Sequence, residues 1–75
     1  MLQSVYPNPT TGIVNLPQVE GLYWQLHDAT GRLIADGSGR KQIDFRTLGL
    51  AEQTYTLRLI TDEVSTSIKL VYLNQ

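Results

Sequence analysis

Cysteine is absent from this chain of 75 residues, which excludes disulfides, thiolate metal sites and cysteine nucleophiles together. The cellular compartment stays open on that count. There is one histidine, so any Ser-His-Asp arrangement must be built on His27. Six basic residues stand against seven acidic ones for a net charge of −1, and no field of one sign is strong enough to gather phosphates. Nucleic-acid binding is therefore disfavoured. The longest uninterrupted apolar run is four residues, Leu70 to Leu73, where a membrane-spanning helix needs about 20. No charged n-region followed by an apolar stretch opens the chain, so no export signal is visible at its N-terminus.

What remains is the composition of one small globular domain, residues 1–75. Leu, Ile, Val and Phe total 22 residues, well clear of the disordered range. Mass scaling gives a folded surface of roughly 4,600 Å² and a modest net stability of about 4–11 kcal/mol.

The hydrophobic pattern repeats every two residues. Leu22, Trp24 and Leu26 share one face of a predicted strand, with Tyr23, Gln25 and His27 on the other. A second strand places Tyr55, Leu57 and Leu59 inward and Thr56 and Arg58 outward. A third runs from Ile68 to Leu73, with Ile68, Leu70 and Tyr72 on its apolar face. Shorter strands are predicted at Ile13 to Leu16, Leu33 to Asp36 and Ile43 to Phe45, and a single helical turn at Thr47 to Gln53. Turn signals recur between them at Pro7-Asn8-Pro9 with Gly12, Pro17, Gly21, Asp28 with Gly31, Asp36-Gly37-Ser38-Gly39, Gly49 and Asp62-Glu63. Short strands with regular turns predict an all-β fold, a small sandwich or barrel. The last strand carries only Lys69 as a charge, so an exposed edge there would serve docking or a homodimer.

Each chemical signal has a structural explanation that outweighs it. His27 and Asp28 are adjacent, but neighbours on a strand point to opposite faces, so Asp28 cannot orient His27 by proximity. The oxygen-rich Asp36-Gly37-Ser38-Gly39 lacks the later bidentate Glu of a calcium loop, and Asp62-Glu63 reads as a hairpin turn. No metal site and no cofactor are expected. Arg40 and Lys41, joined by Arg32 across a hairpin, read as a solvated loop before they read as an anion site. Trp24 shares its face with Leu22 and Leu26, which favours the core over a carbohydrate platform. Asn8 precedes Pro9, which rules out an Asn-x-Thr glycosylation acceptor.

Three motifs, taken in order, go further than sandwich grammar. They are Tyr6-Pro7-Asn8-Pro9-Thr10-Thr11-Gly12, then Asp28-Ala29-Thr30-Gly31-Arg32, then Tyr55-Thr56-Leu57-Arg58-Leu59 leading to Lys69-Leu70-Val71. Together they resemble the type A C-terminal sorting domain of the type IX secretion system of Bacteroidetes. The likeness runs from Tyr6 to Val71. It implies an immunoglobulin-like or fibronectin-like antiparallel β-sandwich of about seven short strands. It also implies a domain that is substrate rather than enzyme, with cargo domains upstream. The implied partners are the outer-membrane translocon and a cell-surface sortase-like cysteine peptidase, which would exchange the domain for a lipopolysaccharide anchor. The implied route is export through the periplasm to the cell surface or the medium.

Lys69, Leu70 and Val71 are the expected recognition residues. Tyr6, Pro7, Asn8, Pro9, Gly12, Asp28, Gly31, Tyr55, Leu57 and Arg58 are expected to serve fold and joint geometry. Arg32 has two readings, a bond to the turn or Asp28 and a surface contact. The chain departs from the family pattern at Gln53-Thr54, at Asp62-Glu63 and in the Tyr72 to Gln75 tail. The alternative reading is a fibronectin-like accessory or spacer domain, with weak carbohydrate binding, beside an extracellular enzyme.

Overall fold

The computed structural model describes Val5 and residues 9–39 and 41–73. Tyr6, Pro7, Asn8 and Arg40, which carried sequence expectations, lie outside the described residues. Six strands follow in order: β1 (Ile13–Asn15), β2 (Tyr23–His27), β3 (Leu33–Ser38), β4 (Gln42–Asp44), β5 (Gln53–Ile60) and β6 (Ser65–Tyr72). A single 3₁₀ turn, Phe45–Leu48, joins β4 to β5. The strands form two antiparallel sheets, β1-β4 and β3-β2-β5-β6. One parallel bridge, Thr10 to Tyr72, adds a stub of a further strand beside β6. The fold is a small all-β sandwich.

The two-residue period places the core. Trp24 and Leu26 from β2, Tyr55, Leu57 and Leu59 from β5, and Leu70 and Tyr72 from β6 are all buried. Val14, Leu16, Ile43 and Phe45 meet them from the smaller layer. Phe45 is fully buried, its ring 5.5 Å from Tyr55 edge-on and 5.1 Å from Tyr72 at a tilt. Such pairs contribute about 0.5–1.5 kcal/mol each beyond area burial. Tyr55 buries its hydroxyl as well, which donates to the Ala51 carbonyl at 2.5 Å. That link to a backbone group upstream is the device of the tyrosine corner in immunoglobulin-like sandwiches.

The helical turn expected at Thr47 to Gln53 lies earlier, and Phe45 belongs to it rather than to a strand. Asp44 decides this, because its extended backbone and its carboxylate, which accepts from the Arg46 N–H at 3.0 Å, cap the turn at Phe45. Gly49, at φ 64°, ends it. Gln53 and Thr54, freed from the turn, lengthen β5.

Asp36, Gly37 and Ser38 form strand rather than turn. They pair with Gln25, Trp24 and Tyr23, and the Trp24 indole lies over Gly37 so closely that a Cβ there would meet it at 3.2 Å. Likewise the last strand begins at Ser65, since Ser65, Thr66 and Ser67 pair with Ile60, Leu59 and Arg58.

Phe45→Ala should lower the unfolding free energy by about 3–5 kcal/mol. A urea titration will show a large drop in midpoint with the slope kept, because the change empties the contact between the two layers.

Candidate functional site

Three places carry the residues that the sequence singled out: the Asp28 turn, the terminal strand β6 and the outer face of the large sheet. In the turn, the backbone closes first. The Gly31 N–H donates to the Asp28 carbonyl and the Asp28 N–H to the Arg32 carbonyl, both at 3.0 Å. Gly31 sits at φ +87°, which explains its residue type.

The Asp28 side chain is buried inside this loop. Its Oδ1 accepts from the Thr30 N–H at 2.9 Å, the Thr30 hydroxyl at 2.6 Å and the Arg32 N–H at 3.0 Å. Its Oδ2 accepts from Arg32 Nε at 3.2 Å. The Thr30 hydroxyl leads the donors that hold this carboxyl at about 2, below its ordinary range. Arg32 itself is 77% exposed. It therefore bonds Asp28 through Nε and still presents a guanidinium to solvent, which accommodates both of its readings.

β6 is an edge strand, but it is not open along its whole length. The Thr10 N–H donates to the Val71 carbonyl at 2.8 Å, and the Leu73 N–H to the Thr10 carbonyl at 2.9 Å. The expectation of an exposed terminal edge is thereby corrected at its C-terminal end. Thr10 is fully buried. Its hydroxyl accepts from the Gly12 N–H at 3.1 Å and donates to the Ile13 carbonyl at 3.0 Å, which turns the chain from the edge of one sheet into β1 of the other. The sequence marked Thr10 only as a member of the first motif and gave it no role.

Lys69, Leu70 and Val71 do not share a face. Lys69 and Val71 pair with Thr56 and Thr54 on the outer surface and are exposed, whereas Leu70 pairs with Tyr55 and is fully buried. Of these three, only the outer two side chains can be read from outside a folded domain, since Thr10 takes the Val71 carbonyl.

His27 lies on the same outer face, across from Thr56 and Leu33. It borders a shallow depression of about 400 Å³ with Asp28, Ala29, Gly31, Thr54, Thr56 and Lys69. Asp28 spends its oxygens on Thr30 and Arg32. Among the described residues no group of three or more His, Asp or Glu is placed to hold a metal ion. The Asp62-Glu63 hairpin is held by Thr61, whose hydroxyl accepts from the Glu63 and Val64 N–H groups at 3.3 and 3.1 Å. Thr61 is thus the turn-forming residue that the acidic pair obscured.

The remaining motif positions lie as follows. Gly12 is buried and its carbonyl accepts from the Phe45 N–H at 2.8 Å. A Cβ at Gly12 would meet Arg46 Cδ at 2.8 Å, so a larger residue there would make the Arg46 side chain shift from the path by which it reaches Asp44 at 2.9 Å. Tyr55 and Leu57 are core, while Arg58 is exposed and reaches the Ser65 hydroxyl at 3.2 Å. Pro9 lies in a bend.

The model of one protein family, the secretion system C-terminal sorting domain, matches residues 4–73. The chain belongs to that family. Neither a curated protein nor a solved structure matches it. As a type IX C-terminal sorting domain it is a secretion signal, its destination is the cell surface or the extracellular space, and its family is not an enzymatic one. Membership implies interaction with the type IX machinery. Among the described residues no helix is long and apolar enough to cross a membrane.

The sorting domain's Asp28 turn has a clear pH signature. A carboxyl lowered on folding stabilises the native state above its unfolded value near 3.8 and loses that contribution as pH falls toward about 2. Asp28→Asn should therefore be less stable than the parent at pH 6, with the gap narrowing between pH 4 and pH 2. Urea midpoints across that range check it.

Proposed function

We propose that this domain is the address label of an upstream cargo and that the translocon reads it at the β6 end. In this reading Lys69 and Val71 supply the side-chain contacts. Leu70 acts from within, anchoring the strand so that its two outward neighbours are presented in register. Capture in a groove would use the alternating side chains for selectivity, and strand addition at this end would first displace Thr10 from the Val71 carbonyl and the Leu73 N–H. After translocation, the sortase-like cysteine peptidase at the cell surface removes the domain and attaches the cargo to lipopolysaccharide.

The observation that supports this most is the family match across residues 4–73, which takes in both the leading segment and the terminal strand. The Thr10 bridge adds a physical link, since it ties the side of the domain that faces the cargo to the strand that ends the motif. The joint and the recognition strand are neighbours, so one apparatus can grip both.

The test is a fusion of an export signal, a fluorescent cargo and this domain in a type IX-competent bacterium. Cutting the chain before Lys69 would also remove Leu70 and Tyr72 from the core, so outward point changes are the sharper probe. Lys69→Glu and Val71→Asp should leave the domain folded and shift the cargo from surface or medium to the periplasm. Leu70→Ala should fail by unfolding, at a cost of about 2–5 kcal/mol. Normal export of the folded double variant would sink the β6 assignment, and a folded parent fusion held in the periplasm would favour the spacer reading.

A further inference from the structure

The opposite edge of the large sheet carries a second surface that the sorting reading does not use. β3 ends the order β3-β2-β5-β6. On the far side the Thr10 N–H donates to the Val71 carbonyl and the Thr10 carbonyl accepts from the Leu73 N–H, and an antiparallel ladder alternates bonded and non-bonded pairs. That alternation, carried through the continuous registers of β6, β5 and β2, directs the Trp24 and Leu26 backbones at Gly37 and Ala35. It leaves the N–H and C=O groups of Asp36 and Ser38 on the outer side of β3, and no hydrogen bond among the described residues meets them.

Directly beside this edge, a depression of about 160 Å³ is bordered by Trp24, Ala35, Asp36, Ile43, Asp44, Thr47 and Leu48, the Asp44 carboxylate being paired with Arg46. It exists because the inner-face residues of β3 are small, Ala35 and Gly37. Trp24 is 4% exposed, and its indole Nε1–H, shut off from solvent, has no hydrogen-bond partner among the described residues. A buried donor left unpaired is costly, so the indole gains by turning toward an acceptor that enters the depression.

Charge selects the occupant. Asp36 is the one charged residue of β3. Its Oδ2 accepts from the Tyr23 hydroxyl at 2.5 Å, and no other hydrogen bond to its carboxylate appears among the described residues. The strand itself holds no cation, so a β3 from a second copy brings none from within Leu33–Ser38. We propose that β3 takes an added extended strand from a partner protein, with a basic side chain opposite Asp36 and an accepting side chain in the depression, toward which the Trp24 indole turns its Nε1–H. The geometry is consistent with strand addition, because a residue opposite Asp36 shares its outer face while its two neighbours face inward over Ala35 and Gly37.

The lone tryptophan makes the test clean. The 15N-labelled domain is titrated with an end-blocked heptapeptide of Thr and Val whose central Lys is flanked by two Asn. Amide signals of Asp36 and Ser38 and the Trp24 indole signal should move together. A central Glu should weaken binding by about three- to tenfold, and Asp36→Lys should invert that preference. Replacing both Asn with Val should keep the amide shifts and abolish the indole shift. The proposal is overturned by still β3 amides at millimolar peptide, by shifts on β6 instead, or by binding indifferent to the charge swap. Concentration-dependent shifts without peptide, which would seat a second copy on the edge, also overturn it.

Discussion

Everything in this domain hangs on how one aromatic ring, Phe45, closes the sandwich. A four-stranded sheet presents its inner face to a layer of only two strands of three residues each, too little backbone to cover it by β-structure alone. The 3₁₀ turn brings Phe45 down onto Tyr55 and Tyr72, joining β5 and β6 to the smaller layer. Its own N–H bonds the Gly12 carbonyl, so the same residue ties β4 to the start of β1. The Asp44 cap and the Arg46 ion pair then hold the turn that holds the ring.

An open sandwich of this size has two exposed strands on its large sheet, and they are treated differently. Thr10 closes the C-terminal end of β6 with two backbone bonds, binding the leading segment to the last strand. β3 has no such cover among the described residues and lies next to a buried donor without a partner. Edges are where small β-domains meet other chains. The contrast leaves one edge of the sorting domain closed at its end by the chain itself and the other uncovered among the described residues.

The polar residues follow the same economy of closing loops from within. Asp28 satisfies three N–H or O–H donors of its own turn and draws in Arg32, while Thr61 does the equivalent for the β5-β6 hairpin. Their chemistry is spent on shape, which is why the lone histidine beside Asp28 gains no oriented partner from it.

The alternation of side chains was legible because it is a local property. Neighbours on a strand face opposite ways whatever the strand pairs with, so Trp24, Leu26, Tyr55, Leu57, Leu59, Leu70 and Tyr72 could be assigned to the core from spacing alone. The Asp28-Gly31 turn was legible for the same reason. The family was legible through motifs whose residues are set by those turns and strands. Tertiary structure alone decided which strands lie at edges, that Phe45 leaves its strand, that Asp36 to Ser38 extend rather than turn, and that Thr10 caps β6. Each of these depends on pairing between distant segments, such as Thr10 with Tyr72 or Gly37 under Trp24, and no local preference encodes such a contact.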